Sequence, residues 1–162
     1  MVPAMTPTHQ AALTTARDSF AMFAEALEGL PDEALSWRPE AENTNSIAVL
    51  ATHCVTATRF WLGLGAGQVG SIGEYRERFR APSFEVSGAA AVELKAQFEA
   101  ILTEITEVMG RGSEEHLTAR IEWPEDPSMT PSGAEALFRA IGHLREHVGQ
   151  AQLMRDLWLA RG

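Results

Sequence analysis

Apolar residues recur along this chain at helical intervals in four separate segments. In the first, Leu13, Ala16, Phe20, Phe23, Leu27 and Leu30 are spaced alternately three and four apart, which puts them on one stripe of a helix ending near Gly29. Two prolines in Leu30-Pro-Asp-Glu-Ala-Leu-Ser-Trp-Arg-Pro39 mark a connection, and Asn43-Thr-Asn-Ser46 supplies the capping residues of a second helix. That helix carries Ile47, Leu50, Cys54, Ala57, Trp61 and Leu64 and runs out at Gly63-Leu-Gly-Ala-Gly67; a loop is expected from there to about Gly88. The third stripe, Leu94, Phe98, Ile101, Ile105 and Val108, stops at Gly110-Arg-Gly112. His116-Leu-Thr-Ala-Arg-Ile-Glu-Trp123 alternates as a short strand would, and Pro124, Pro127 and Pro131 interrupt the chain beyond it, a pattern that allows a short strand pair before the last helix. The fourth helix is predicted from Thr130-Pro131-Ser132, with Pro131 in its first turn, and carries Leu137, Ile141, Leu144 and Val148 toward Trp158. Four stripes need four partners, so the pattern predicts an all-α protein, a four-helix bundle formed as one domain over residues 1–162. The long connections argue against the plainest up-down arrangement.

The charge balance narrows the partners. Against 22 Asp and Glu stand 13 Lys and Arg, a net charge of −9, which disfavours nucleic acid or an anionic membrane surface as the main partner. No apolar run approaches a membrane span, and the amino-terminal Met-Val-Pro-Ala-Met-Thr-Pro lacks the basic and then apolar parts of a signal peptide. Cys54 is the single cysteine, which excludes an intrachain disulfide and a cysteine-based zinc motif and places the thiol in the core. These features predict a cytoplasmic protein.

The chemistry lies in the histidines. His143 and His147 are four apart, on one helix face, and His53 interrupts the apolar run Ile47-Ala-Val-Leu-Ala-Thr-His-Cys-Val55. Each of the three immediately precedes a stripe residue (Cys54, Leu144, Val148), so all are turned to the same side of their stripes and the second and fourth helices can converge on one ion. Three imidazoles with open positions suit a catalytic divalent metal, zinc or nickel first, with manganese or iron also compatible. Two other metal patterns fail. His143-Leu-Arg-Glu-His147 matches the inverted zincin string, but the only carboxylate after His147 is Asp156, too near for the downstream ligand such proteases use. A di-iron bundle needs Glu-x-x-His pairs, and Leu50, Ala140 and Leu144 occupy the positions three before the histidines. His9 and His116 fall outside the pattern and are expected to be exposed, without a role.

The motifs Leu30–Pro39, Asn45-Ser-Ile-Ala-Val-Leu-Ala-Thr-His53 and His143-Leu-Arg-Glu-His-Val-Gly-Gln150 resemble those of the DinB/YfiT-like metalloenzyme superfamily over most of the chain. The resemblance implies a four-helix bundle holding a divalent metal through His53, His143 and His147, and it implies a homodimer. Val148 departs from the basic residue usual after the last histidine in that family. Some relatives are thiol-dependent transferases or isomerases, so the resemblance implies a small-molecule substrate and a low-molecular-weight thiol or a water as nucleophile. The alternative is a metal-stabilised binding or stress-response module without turnover. Around the ion, Asn45, Arg59, Trp61 and Gln150 are candidates to support the ligands or line the pocket. Glu146 is expected on the outer face.

Overall fold

The computed structural model describes residues 5–161. The reading of the amino-terminal segment for a leader rests partly on residues 1–4, outside that range. Four long helices dominate: α1 (Pro7–Ala26), α3 (Ile47–Gly65), α6 (Ala91–Met109) and α8 (Gly133–Leu159). Short helices occupy the connections, α2 (Asp32–Ser36), α4 (Ile72–Glu74), α5 (Ala81–Ser83) and α7 (Glu114–Thr118). The protein is all-α, with no sheet among the described residues.

Side chains fix where the long helices begin. Thr6, Ser46 and Ser132 accept hydrogen bonds from the backbone N–H groups of His9, Val49 and Glu135, and the Glu135 carboxylate accepts one from Ser132 N–H in return, closing a capping box. Each long helix then buries its stripe. Leu13, Phe20, Phe23, Leu94, Phe98, Ile101, Ile105, Leu137, Leu144 and Val148 are all essentially inaccessible to water, and each such side chain contributes about 1.5–3 kcal/mol over its exposed state. Phe98 packs between Phe20 and Phe23, with ring centres 5.0 and 5.2 Å away.

The main contacts run α3–α8, α1–α8, α3–α6 and α1–α6, so the cyclic order is α1, α8, α3, α6. Chain neighbours α1 and α3 therefore lie on a diagonal, as do α6 and α8. A diagonal step must cross an end of the bundle, which explains the long connections. The α3–α8 seam is the most extensive, and it closes most tightly where α3 ends: a β-carbon on Gly65 would stand 2.2 Å from Leu137 Cδ2. Elsewhere Arg155 of α8 donates to the carbonyls of Glu25, Ala26 and Glu28, placing a cation on the carboxyl end of α1. Trp37, just past α2, packs edge-on against Trp158.

Five expectations are corrected. The first helix stops at Ala26, and the chain turns through Gly29 at φ 71°. The stretch expected to be a loop up to Gly88 is largely helical: α4 runs without interruption through a π-helical segment, Tyr75–Arg80, into α5. Pro82 is the physical reason, because it lacks an N–H and its ring would collide with the carbonyl four residues back in an α-helix; the wider turn, in which Ala81 N–H reaches the Arg76 carbonyl, makes room. In place of the strand, His116 belongs to α7, capped by Ser113, and all that remains of pairing is one antiparallel bridge between Arg120 and Ser132. That bridge also places Pro131 outside the helix, its carbonyl accepting from Ile121 N–H at 2.8 Å, so α8 starts at Gly133. Finally, α3 does have the length and apolar composition of a membrane span; 78% of it is buried within the bundle, which accounts for its apolarity.

Candidate metal centre

His53 of α3 and His143 and His147 of α8 bring one ring nitrogen each to a common point, all within 4.8 Å of one another. The tight α3–α8 seam holds the two helices in this register. His53 Nε2 is 2.9 Å from His143 Nε2, and His147 Nε2 is 3.1 Å from the same atom. An ion with metal–nitrogen bonds near 2.0–2.1 Å and right-angled to tetrahedral geometry spaces its nitrogens about 2.9–3.4 Å apart, a range that contains both spacings about His143.

The neighbours of the rings fix their tautomers. Ser83 Oγ donates to the Arg80 carbonyl at 2.6 Å, which leaves its lone pairs to accept from His53 Nδ1–H at 3.2 Å. The Gln150 amide oxygen, an acceptor only, lies 2.7 Å from His147 Nδ1, which must therefore donate. Gln150 Nε2 reaches the Glu146 carboxylate at 3.5 Å, consistent with that amide orientation. With both Nδ1 atoms protonated, the Nε2 lone pairs of His53 and His147 point at the shared centre. At most one proton, on His143 Nε2, can lie between three converging nitrogens, and it can satisfy only one neighbour. His143 Nδ1 is buried without a partner. A divalent ion is the species that satisfies all three inward lone pairs together.

Burial keeps two of the rings uncharged. It pushes His53 down to about 3, helped by the nearby His143, His147 and Arg80, and it pushes His143 down to about 4, helped by His147 and Arg80. At neutral pH both are free bases ready to ligate.

A pocket of about 470 Å³ opens over His53 and His143. Trp61, Tyr75 and Met129 form part of its wall, and three arginines line it: Arg76 and Arg80 from the π-helical segment and Arg139 one turn before His143. Phe60 of α3 stacks on Tyr75 at 4.2 Å, which pins this wall to α3. The Tyr75 hydroxyl is pushed up to about 12 by burial and stays a phenol. Burial raises the Cys54 thiol likewise, so Cys54 is an inert core residue.

Of the residues singled out in the sequence, the structure brings His53, His143, His147, Trp61 and Gln150 together. Arg59 instead pairs with Glu104 at 2.9 Å on the outer surface and lines a separate, more apolar pocket. Asn45 precedes Ser46, and it is Ser46 that caps α3. Glu146 is exposed. His9 and His116 require correction. His9 is fully buried, bonded to Thr6 Oγ1 at 2.7 Å and to the Gly65 carbonyl at 2.9 Å, where it ties α1 to the end of α3. His116 is half-buried and its Nδ1 accepts from Ser113 N–H. Sequence reasoning missed Ser83, Arg76, Arg80 and Arg139. The first three lie in the stretch expected to be a loop, and the available signal was Glu74-Tyr-Arg-Glu-Arg-Phe-Arg-Ala81, a run free of glycine and proline that ends at Pro82.

The family model of the DinB superfamily matches residues 13–151. A crystal structure of a conserved protein from Enterococcus faecalis shares the fold, with a TM-score of 0.74 at 17% identity, covering 97% of this chain and 99% of that one. No curated protein matches.

Proposed function

This chain belongs to the DinB superfamily, and from that premise we propose that it is a metal-dependent enzyme in which His53, His143 and His147 hold one divalent ion and a small molecule enters the adjoining pocket. The observation that carries the reading is the pair of outer hydrogen bonds, from His53 to Ser83 and from His147 to Gln150, which turn two Nε2 lone pairs onto the point that His143 Nε2 also faces. A satisfied core histidine would spend both nitrogens on protein partners; His53 and His147 spend one outward and turn the other to His143 Nε2, and His143 Nδ1 has no partner. An ion held by imidazoles at an open site supplies Lewis acidity toward a thiol or a water. The protein's part is positional. Ser83 and Gln150 hold the rings, Trp61 and Tyr75 wall the cavity against bulk water, and the open side over His53 and His143 admits the substrate. The reaction class that fits is transfer of a low-molecular-weight thiol to a small electrophile, with isomerisation or hydrolysis by the same polarised nucleophile as variants. Zinc or nickel suits the donor set best.

The test is elemental analysis of untagged protein beside His53→Ala and His147→Ala variants. About one divalent ion per chain, lost in both variants, is expected, followed by a screen of thiols against electrophiles. Wild-type protein that takes up no zinc, nickel or manganese sinks the proposal. If chelation collapses the helical circular dichroism, the ion is a structural one and the protein a binding module.

A further inference from the structure

The pocket beside the three histidines is cationic, although the chain carries a net charge of −9. No aspartate or glutamate lines it, whereas Arg76, Arg80 and Arg139 do. Arg76 is committed to Asp126 at 2.7 Å. The other two form no ion pair among the described residues. Instead each guanidinium lies against an aromatic face, Arg80 on Phe84 at 5.0 Å and Arg139 on Trp61 at 4.8 Å. Stacking fixes the plane of a guanidinium while leaving its edge N–H groups free to donate. Both side chains are exposed, Glu135 one turn before Arg139 is engaged by Arg120 and by Ser132 N–H, and no carboxylate in the cavity lining competes for either guanidinium.

Their placement sets the orientation of a ligand. Arg139 is one helical turn before His143 on α8, and Arg80 offers its carbonyl to the Ser83 hydroxyl that holds His53. The two guanidiniums come from different elements and line the same cavity as His53 and His143. We propose that Arg80 and Arg139 form an anion-binding subsite, and that the substrate is a small organic anion whose carboxylate or phosphate group is gripped there while its reactive end faces the histidines. Carboxylate and phosphate both present a pair of oxygens that matches the guanidinium fork in paired hydrogen bonds. The proposal rests on the functional reading above only in naming the bound anion a substrate; the subsite itself needs no ion.

The test uses chelator-treated, metal-free protein at neutral pH, titrated calorimetrically with succinate and with inorganic phosphate, and with the neutral diamide of succinic acid as control. At least one of the two anions should bind, with Arg80→Gln and Arg139→Gln each weakening it roughly ten- to a hundredfold, while Arg111→Gln, on the surface and paired with Glu107, leaves it unchanged. Preference for phosphate assigns the phosphoryl class, and preference for succinate the carboxylate class. The subsite is overturned if neither anion binds, if the diamide binds as well, or if the two pocket variants match the wild type while their circular dichroism is intact. Repeating the titration with zinc-loaded protein separates the two readings: anion binding without metal uptake leaves the subsite standing and removes the metal centre, and metal uptake without anion binding does the reverse.

Discussion

Replacing Ser83 by alanine tests whether the site is built for an ion or is merely a place where histidines meet. In the wild type, His53 Nδ1–H donates to Ser83 Oγ, whose own proton goes to the Arg80 carbonyl. Ser83→Ala removes the acceptor from a ring that is 3% exposed, leaving a buried N–H unpaired at a cost of about 1–3 kcal/mol. Part of that cost falls on the metal-free protein as lost stability. The rest falls on ligation, because the ring can turn or take the other tautomer, and loss of such an orienting partner weakens metal affinity by about 10- to 100-fold. Gln150→Ala makes the same change at His147, but Gln150 is exposed and water can replace its oxygen, so a smaller effect, under about tenfold, is expected. The assay is competition for zinc against a chromophoric chelator, with urea unfolding of metal-free and loaded protein run alongside. A Ser83→Ala protein that binds zinc within about twofold of wild type, while His53→Ala does not bind, would refute the claim that the outer hydrogen bond orients the ligand.

Three further outcomes are expected from the packing and the rings. Metal-free protein should lose stability as pH falls from about 6.5 to 5, before carboxylates titrate: His53 and His143 take up protons in the unfolded chain near their ordinary value, but in the folded chain only near 3 and 4. Urea midpoints that rise over this window would show the sign to be wrong, and His53→Gln should flatten the slope. Gly142 and Gly149 lie in the interior of α8, and a β-carbon added at either would meet nothing within 4 Å, so alanine at either should stabilise by about 0.5–1 kcal/mol. A fall in melting temperature would instead mean that this face is covered in solution. Gly65→Ala should destabilise by about 1–3 kcal/mol through collision with Leu137 and the Gly133 carbonyl, and a neutral result in thermal melts would show that the α3–α8 seam yields.

The long helices and the three histidines were legible because both obey a local rule. Apolar spacing needs only the chain itself, and the shared offset of His53, His143 and His147 from their stripes is arithmetic on about 100° per residue. Tertiary order was not. That α1 and α3 sit on a diagonal depends on which stripes fit together, and no single stripe carries that information. His9 shows the same limit: near the amino end of a helix it reads as solvated, and only the arrival of the Gly65 carbonyl makes it a buried tie. The missed elements share a cause as well. α2, α7 and the helical stretch Ile72–Ser83 are too short or too polar to show a stripe, and isolated helices of that length are marginal; they are held by the surfaces they rest on.

That dependence places the decisive parts of the pocket outside the reach of periodicity. The segment from Tyr75 to Ser83 contributes Tyr75, two of the three arginines and the serine that orients His53, and it is helical because Tyr75 is buried against Phe60 and Trp61 while Pro82 forces the turn open. In a regular α-helix Arg76 and Arg80 would lie one above the other, and Ser83 would follow on nearly the same face. The π turn advances each residue by a smaller angle and redistributes those side chains, so that Ser83 meets the ring of His53 while Arg80 flanks it. Removing Pro82 is therefore a perturbation of the site rather than of a surface loop. Pro82→Ala permits an ordinary helix, and if it tightens, the hydroxyl loses its register with His53. The expected result is weakened zinc binding with unchanged helical content, and a variant that keeps full affinity would show that the π turn is incidental to the site.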